Sequence, residues 1–545
     1  MSEPAQRRPV VGRSVVSTRF GIVAATHPLA ARAGVEMLER GGNAIDAAIA
    51  ANAAIGLMEP AMNGIGGDLF VMYREPQSGT IYGLNASGWS PAALTAQYLR
   101  TRGLGLGGIH TVTVPGAVAG WDALRGRFGT KPFSELLAPA IYYAEQGFPL
   151  TEVIAGGWLP DGVYPTLPEL QRTYLIGNRA PRAGEIFRNP DLAASLRRIA
   201  GKGRDGFYKG PTAEAILQVS RDLGGTMTAS DLADYTPEWV TPISTTYRGW
   251  TVHEMPPNST GIAALMMLNI MEQYPLNEWG FHSAKALHVM IEAKKLAYAD
   301  LIRYIGDPAF SKIPVETLIS KAHGAERARS IDMKKATCRV EPSRLEEYTN
   351  SSGNDTIYLS AIDKDGGIVS LIQSNYAAFG SGIVPPGAGF VLHNRGALFT
   401  LEDNHPNTLA GHKRPLHTII PAIMEKDDVH IGFGIMGGFN QPQAHAQFVA
   451  GIADFGFNIQ EALEAGRFTK PTFDGCDVEI EALVPESALR ELAALGHDID
   501  VVPPRTGEFG WGQAVMSDAA GVHHGASEPR SDGAAIPEMP PVFPR

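Results

Sequence analysis

Gly353-Asn354-Asp355-Thr356-Ile357-Tyr358-Leu359-Ser360-Ala361-Ile362-Asp363-Lys364-Asp365-Gly366 carries the sharpest change of texture in this 545-residue chain. A polar run from Tyr348 to Asp355 stops, and an alternating apolar strand begins with Thr356 as its first residue. A threonine opening a strand is by itself only a good β-former. At this junction it has a second reading. If the chain cuts itself between Asp355 and Thr356, the Thr356 hydroxyl becomes a nucleophile whose base is its own α-amine. A free α-amine titrates at about 7.7–8.0, so it can accept a proton near neutral pH.

Working outward, Ile357–Ile362 and Gly367–Ser374 alternate like two antiparallel strands joined by an Asp363-Lys364-Asp365-Gly366 turn. That hairpin brings the Ser374 hydroxyl toward Thr356. Further strands are expected at Gly389–Leu392, Thr418–Glu425 and His430–Gly434, and helices at Pro442–Asp454, Ile459–Ala465 and Glu486–Leu495. Before the junction, a strand near Phe20 leads to a helix from Pro28 to Arg40 that Gly41-Gly42-Asn43 terminates. A small-residue helix follows from Ala44, and a strand runs from Leu69 to Tyr73. The stretch Val114–Gly147 reads as helical, as do Leu192–Ile199, Pro211–Leu223, Gly261–Glu272 and Ser283–Tyr304. Strands and helices in one connected unit indicate a sheet layered with helices.

Composition narrows the function. A net charge of −11 disfavours nucleic acid and anionic membrane as partners. Met1–Val16 has no apolar core of a secretory signal. The apolar stretch Ala44–Pro60 contains Asp46 and Asn52 and is short for a bilayer, so it reads as a buried helix. The two cysteines, Cys338 and Cys476, lie far apart without CxxC or zinc spacing, and nothing in them demands an oxidising compartment. A cytoplasmic location is the expectation. None of the fifteen histidines sits in an HExxH pattern, and no metal or cofactor is expected. Gly103–Gly108 lacks the strand before and helix after that a dinucleotide loop needs. The Asn63–Asp68 glycine cluster reads as a tight packing turn.

A hydroxyl nucleophile also needs an orienting partner and donors for an oxyanion. Ser374 supplies the first, and the backbone N–H groups of Gly437-Gly438 can supply the second. At this point the chain resembles the γ-glutamyltranspeptidase family of N-terminal-nucleophile hydrolases. The resemblance runs from about Ala24 to Pro537 through Gly41–Ala48, Gly64–Asp68, Val114-Pro115-Gly116, Gly206–Gly210, Phe379–Gly382, Arg414-Pro415-Leu416, Gly437-Gly438 and Gly525–Arg530. It implies a four-layer αββα sandwich of mixed α/β (α+β) class. It also implies a proenzyme cleaved between Asp355 and Thr356 into a large subunit, 1–355, and a small subunit, 356–545, that form one structural unit. A dimer of these heterodimers is compatible with it. Thr356 falls on the nucleophile, Ser374 on the orienting hydroxyl, and Gly437 and Gly438 on the oxyanion glycines.

The departures from that pattern bear on the substrate. Ser87 stands where the family's carboxylate-binding arginine would fall, and Leu398 where its ammonium-binding aspartate would fall. His417 and Thr418 replace paired serines, and Tyr376 replaces an asparagine, with Asn375 one place off. The Phe399–Arg414 segment, which includes a lid in classical members, is short. A γ-glutamyl group carries an ammonium and a carboxylate, and each is costly to bury unpaired. The expectation is a retained mechanism with an altered acyl pocket. Arg395, His417, Thr418, Asn375 and Tyr376 are its candidate binding residues. The expected substrate is a small-molecule amide with an anionic acyl part, glutaryl- or oxamate-like. Alternatives are a true γ-glutamyltransferase acting on glutathione and, from another class, a ligand-binding relative that does not process.

Overall fold

The computed structural model describes residues 9, 11–159, 167–343, 356–505 and 509–542. Asp355 lies outside the described residues, so the structure describes the expected scission site from Thr356 onward.

Two seven-stranded sheets dominate the architecture. The first has the strand order Ala534–Pro537, Ile22–Ala25, Ile357–Ile362, Ile368–Ser374, Asp68–Arg74, Ile81–Ala86, Glu238–Val240. The second runs Val16–Thr18, His523–Ser527, Gly512–Ser517, Val429–Ile435, Ala422–Lys426, Trp250–Glu254, Ile243–Tyr247. Each sheet contains strands from both before and after Thr356. The two sequence halves therefore cannot each close a sheet alone.

Side-chain parity explains the layering, because successive residues of a strand point to opposite faces. On the Thr356 hairpin, Ile357, Leu359, Val369 and Leu371 pack outward with the helices Pro28–Glu39 and Ala44–Met58. Tyr358, Ile362, Ile368 and Ile372 point the other way. They meet Phe70, Met72, Ile423 and Val515 in an apolar layer between the sheets. Outside the second sheet, the helices Gly261–Met271, Ala284–Tyr304 and Gln441–Ala453 cover Val252, Met424, Ile431 and Phe433. This is the expected αββα order.

Local sequence accounts for the elements. Asn43 caps the Ala44–Met58 helix, with its side chain accepting from Ile45 and Asp46 N–H while Asp46 reaches back to Asn43 N–H. The helix is buried nearly all round, and its polar residue beyond the first turn, Asn52, donates to Gln373 and accepts from Trp121 Nε1. The Asn63–Asp68 glycines do form a packing turn. A Cβ on Gly67 would lie 2.3 Å from the Ser374 carbonyl oxygen, and one on Gly66 would lie 2.0 Å from that of Val391.

Four expectations are corrected. The Val114–Gly147 stretch is three helices, Ala117–Arg127, Phe133–Leu136 and Ala138–Gln146, broken first around Gly129 and Pro132 and again at Leu137. Gly389–Leu392 is not a strand; Gly389 adopts φ +75° to pass against the Asn189–Leu192 helix start. The Thr418–Glu425 strand begins only at Ala422, because Pro421 has no N–H to give a ladder. Cys338 and Cys476, which sequence spacing left unconnected, form a disulfide.

The inter-sheet layer has one tight point. A Cβ on Gly434 would sit 2.4 Å from the Tyr358 ring. Gly434→Ala is therefore expected to force the sheets apart beside the Thr356 strand, at a cost of about 1–3 kcal/mol. A denaturant midpoint unchanged from wild type would contradict this packing.

Candidate active site

Register places the key residues in a row. Ser374 pairs directly with Asp68 on the neighbouring strand, and Ile357 pairs with Gln373 on the other side. Thr356 is therefore the next residue opposite Ser374. Parity puts Thr356, Ser374 and Asp68 on the inter-sheet face, with Tyr358, Ile372 and Phe70. Thr356 Oγ1 and Ser374 Oγ are hydrogen-bonded at 3.2 Å, and both residues are wholly buried. The sequence reading paired these hydroxyls correctly.

Two further donors converge on Ser374 Oγ and fix its position. Arg395 Nη2 donates to it at 2.7 Å, and the Tyr376 backbone N–H at 2.8 Å. Tyr376 holds φ +76°, a region costly for a bulky residue, and its ring lies 4.6 Å from the Arg395 guanidinium. Arg395 Nη1 donates to Thr418 Oγ1 at 2.8 Å. Arg395, Thr418 and Tyr376 thus form one cluster with Ser374.

The glycine pair enters from the second sheet. Gly437 (φ 125°) and Gly438 (φ 54°) turn the chain from the Val429–Ile435 strand toward the Gln441–Ala453 helix. Gln441, the first residue of that helix, donates through Nε2 to Thr356 Oγ1 at 3.4 Å and accepts at Oε1 from Ile420 N–H. The turn carrying both glycines is thereby brought beside Thr356.

His417 and Asn375 are directed elsewhere. His417 Nε2 donates to Asp68 Oδ2 at 2.8 Å, and its ring packs against Phe70. Asn375 Nδ2 donates to the Pro60 carbonyl. Of the two positions whose charge partners are missing, Leu398 is buried in an apolar cluster. Ser87 is buried and accepts from Asn258 Nδ2. Arg414 Nε donates to the Ser87 carbonyl, but its guanidinium pairs with Glu238.

Sequence reasoning missed Asp68, His393 and Gln441 as site residues. Asp68 Oδ2 lies 2.8 Å from His417 Nε2, 3.2 Å from His393 Nδ1 and 3.7 Å from Arg395 Nε, while Oδ1 accepts from Gly88 N–H. Burial alone would raise the Asp68 pKa. The two histidines outweigh it and hold the carboxyl well below its usual range, so Asp68 is an anion. Burial lowers Arg395 to about 10 despite Asp68, which still leaves it a cation at neutral pH. Burial, reinforced by Arg395, depresses His417 to about 3, so it is neutral. The signal available was a carboxylate immediately before the apolar run Leu69–Tyr73.

A second buried cluster, His288, Glu292 and His497, brings three potential ligand atoms within 4.8 Å. His288 Nδ1 and His497 Nε2 hydrogen-bond one another, and Lys295 pairs with Glu292 at 2.7 Å. The Glu292 carboxylate of that set is thus already paired with an ammonium group.

Comparison with known proteins agrees with this geometry. A family model described as gamma-glutamyltranspeptidase matches residues 30–538. The crystal structure of cephalosporin acylase from Bacillus halodurans superposes with TM-score 0.88 at 40% sequence identity, covering 98% of this chain and 99% of that one. The glutathione hydrolase-like YwrD proenzyme of Bacillus subtilis is 34% identical over 543 residues, covering 96% of this chain and 100% of the relative. The oxamate amidohydrolase proenzyme of Klebsiella pneumoniae is 34% identical over 542 residues, covering 96% and 99%.

Two outcomes follow from the buried charges. Asp68→Asn leaves Arg395 without its anion, and is expected to destabilise the fold by about 3–5 kcal/mol in denaturant titration. A loss no greater than that of a surface substitution would contradict the ion pairing. The pH dependence has a definite sign. His417 titrates near 3 when folded and at about 6.5 when unfolded, so between these values the unfolded chain binds the extra proton. Its contribution is complete above about pH 6.5 and is lost as pH falls toward 3. The thermal midpoint of His417→Gln is expected to fall less steeply between pH 7 and 4 than that of wild type. Parallel slopes would contradict the assignment.

Proposed function

The chain belongs to the γ-glutamyltranspeptidase family of N-terminal-nucleophile hydrolases that act on amide bonds, and on that premise we propose that it is a self-processing N-terminal-threonine acylase with Thr356 as nucleophile. The observation that carries the reading is the hydrogen bond between Thr356 Oγ1 and Ser374 Oγ at the start of the hairpin. In processing, Thr356 Oγ attacks the Asp355 carbonyl carbon, and the peptide C–N bond breaks as the ester forms. Water then hydrolyses that ester, leaving the Asp355 carboxylate and the free Thr356 amine. The products are a large and a small subunit from one precursor, and the proenzyme names of the relatives support this.

In turnover the same hydroxyl attacks the substrate amide. The α-amine takes the hydroxyl proton and passes it to the departing amine, while the Gly437 and Gly438 N–H groups receive the oxyanion. Water releases the acyl group from Thr356 and regenerates the hydroxyl. Every proton transfer in this scheme uses groups of the chain, the substrate or water. The short Phe399–Arg414 segment favours water over an amine acceptor.

We assign an anionic acyl part without an ammonium, glutaryl- or oxamate-like, to the substrate. Leu398 offers an ammonium no partner and Ser87 offers a carboxylate no cation. Arg395 is a cation that donates to the Ser374 hydroxyl beside the nucleophile, and its acceptors there, the Ser374 and Thr418 hydroxyls, are neutral groups that a carboxylate can supplement with stronger charge-assisted bonds. His417 supports Arg395 through their shared contact with Asp68. The similarity to an acylase and an oxamate amidohydrolase points the same way. The Cys338–Cys476 disulfide favours an oxidising compartment over the cytoplasm that the sequence suggested.

The test is a substrate panel. Glutaryl- and oxamyl-amides are expected to be hydrolysed and glutathione left intact. Arg395→Ala is expected to raise KM for the anionic substrates by about tenfold to a hundredfold, the worth of one or two charge-assisted hydrogen bonds. Rapid glutathione turnover would replace this reading with a true γ-glutamyl hydrolase. An unchanged KM would remove Arg395 from the acyl pocket.

A further inference from the structure

We propose that the Cys338–Cys476 disulfide is an inter-subunit crosslink, so that the mature protein is a covalently joined heterodimer. The inference rests on the proposed cut at Asp355-Thr356, which places Cys338 in the large subunit and Cys476 in the small one. The two Cα atoms are 4.6 Å apart across 138 residues of sequence. That separation falls within the range a disulfide spans without backbone movement. Before the cut the bond closes a loop within one chain. Afterwards it is the covalent link between two chains.

Backbone hydrogen bonds around both cysteines tie the two segments together beside the sulfur bond. Around Cys338, the Ala336 N–H donates to the Leu495 carbonyl, and the Gly475 N–H donates to the Cys338 carbonyl. Across from it, the Asp498 N–H donates to the Cys476 carbonyl, tying Cys476 to the Asp498–Val502 strand. On the large-subunit side, Lys295 Nζ donates to the Thr337 carbonyl, and the Thr337 N–H donates to Glu292 Oε1. Lys294 Nζ reaches the small subunit at the Thr472 carbonyl. The segment carrying Cys338 therefore lies between the Ala284–Tyr304 helix and the small-subunit residues 472–498. Cys476 is buried and Cys338 is exposed, so solvent thiols and disulfides can reach the pair from one side.

The chemistry is thiol–disulfide exchange. The Cys338 thiolate attacks an external disulfide, releasing one thiol and leaving a mixed disulfide. The Cys476 thiolate then attacks the Cys338 sulfur and releases the second thiol. The two cysteines together give up two protons and two electrons, and the external disulfide is reduced to two thiols. The product keeps the subunits at high local concentration after processing, so that separating them requires a reductant as well as loss of the packed interface.

The experiment is intact-mass analysis of the purified, denatured protein with and without dithiothreitol, beside Cys338→Ser. The expected wild-type result is one species without reductant, at the full-chain mass plus one water and less the two hydrogens lost in the disulfide, and two fragments with reductant. Cys338→Ser is expected to give two fragments in both conditions while still eluting as a heterodimer under native conditions. Two wild-type fragments without reductant would overturn the crosslink and leave the processing reading standing. One uncut chain in reductant would overturn the processing reading and the inter-subunit crosslink with it. Alkylation of both cysteines in unreduced native-source protein would also overturn the crosslink.

Discussion

The site depends on a single row of residues across three adjacent strands. Thr356, Ser374 and Asp68 occupy neighbouring positions in one sheet, and all three point into the layer between the sheets. A one-residue slip in either strand pairing would turn the members of this row to the helix-covered face. The register is held by side chains that alternate strictly along the hairpin. One set packs against the Ala44–Met58 helix and the other against the second sheet. Close approaches such as Gly67 on the Ser374 carbonyl and Gly434 on Tyr358 leave little room for an alternative pairing.

Burying that row requires that its charges balance. The Asp68 carboxylate and the Arg395 guanidinium sit in a wholly buried region, and an ion of either sign alone would be expensive there. The two histidines share Asp68, Thr418 and Ser374 accept from Arg395, and the Tyr376 ring covers the guanidinium. The outcome is that Ser374 Oγ is held by fixed donors before any substrate arrives. Catalysis by preorganised groups needs that, since reorientation during reaction would cost energy. Gln441 extends the same logic from the other sheet, joining the Gly437-Gly438 turn to the Thr356 hydroxyl.

Much of this was legible in the sequence, for particular physical reasons. The hairpin from Thr356 to Ser374 could be read because alternation and an Asp-Lys-Asp-Gly turn specify both the strands and their register. Most of the helices could be read from apolar spacing. The charged cluster could not, because Asp68, His393, Arg395 and His417 meet only through tertiary packing, with 349 residues between Asp68 and His417. His417 and Asn375 carried the right residue types for binding, but their side chains are taken up by Asp68 and the Pro60 carbonyl. The disulfide escaped for the same reason, since 138 residues separate two cysteines that the fold places together.

The central claim is that Thr356 is a nucleophile that creates its own amine, and the most direct measurement is N-terminal sequencing of the reduced, purified protein beside Thr356→Ala. Wild type is expected to show a second N-terminus reading Thr-Ile-Tyr-Leu-Ser, and the variant none. A single N-terminus in both proteins, or the same internal cut in the variant, would contradict it.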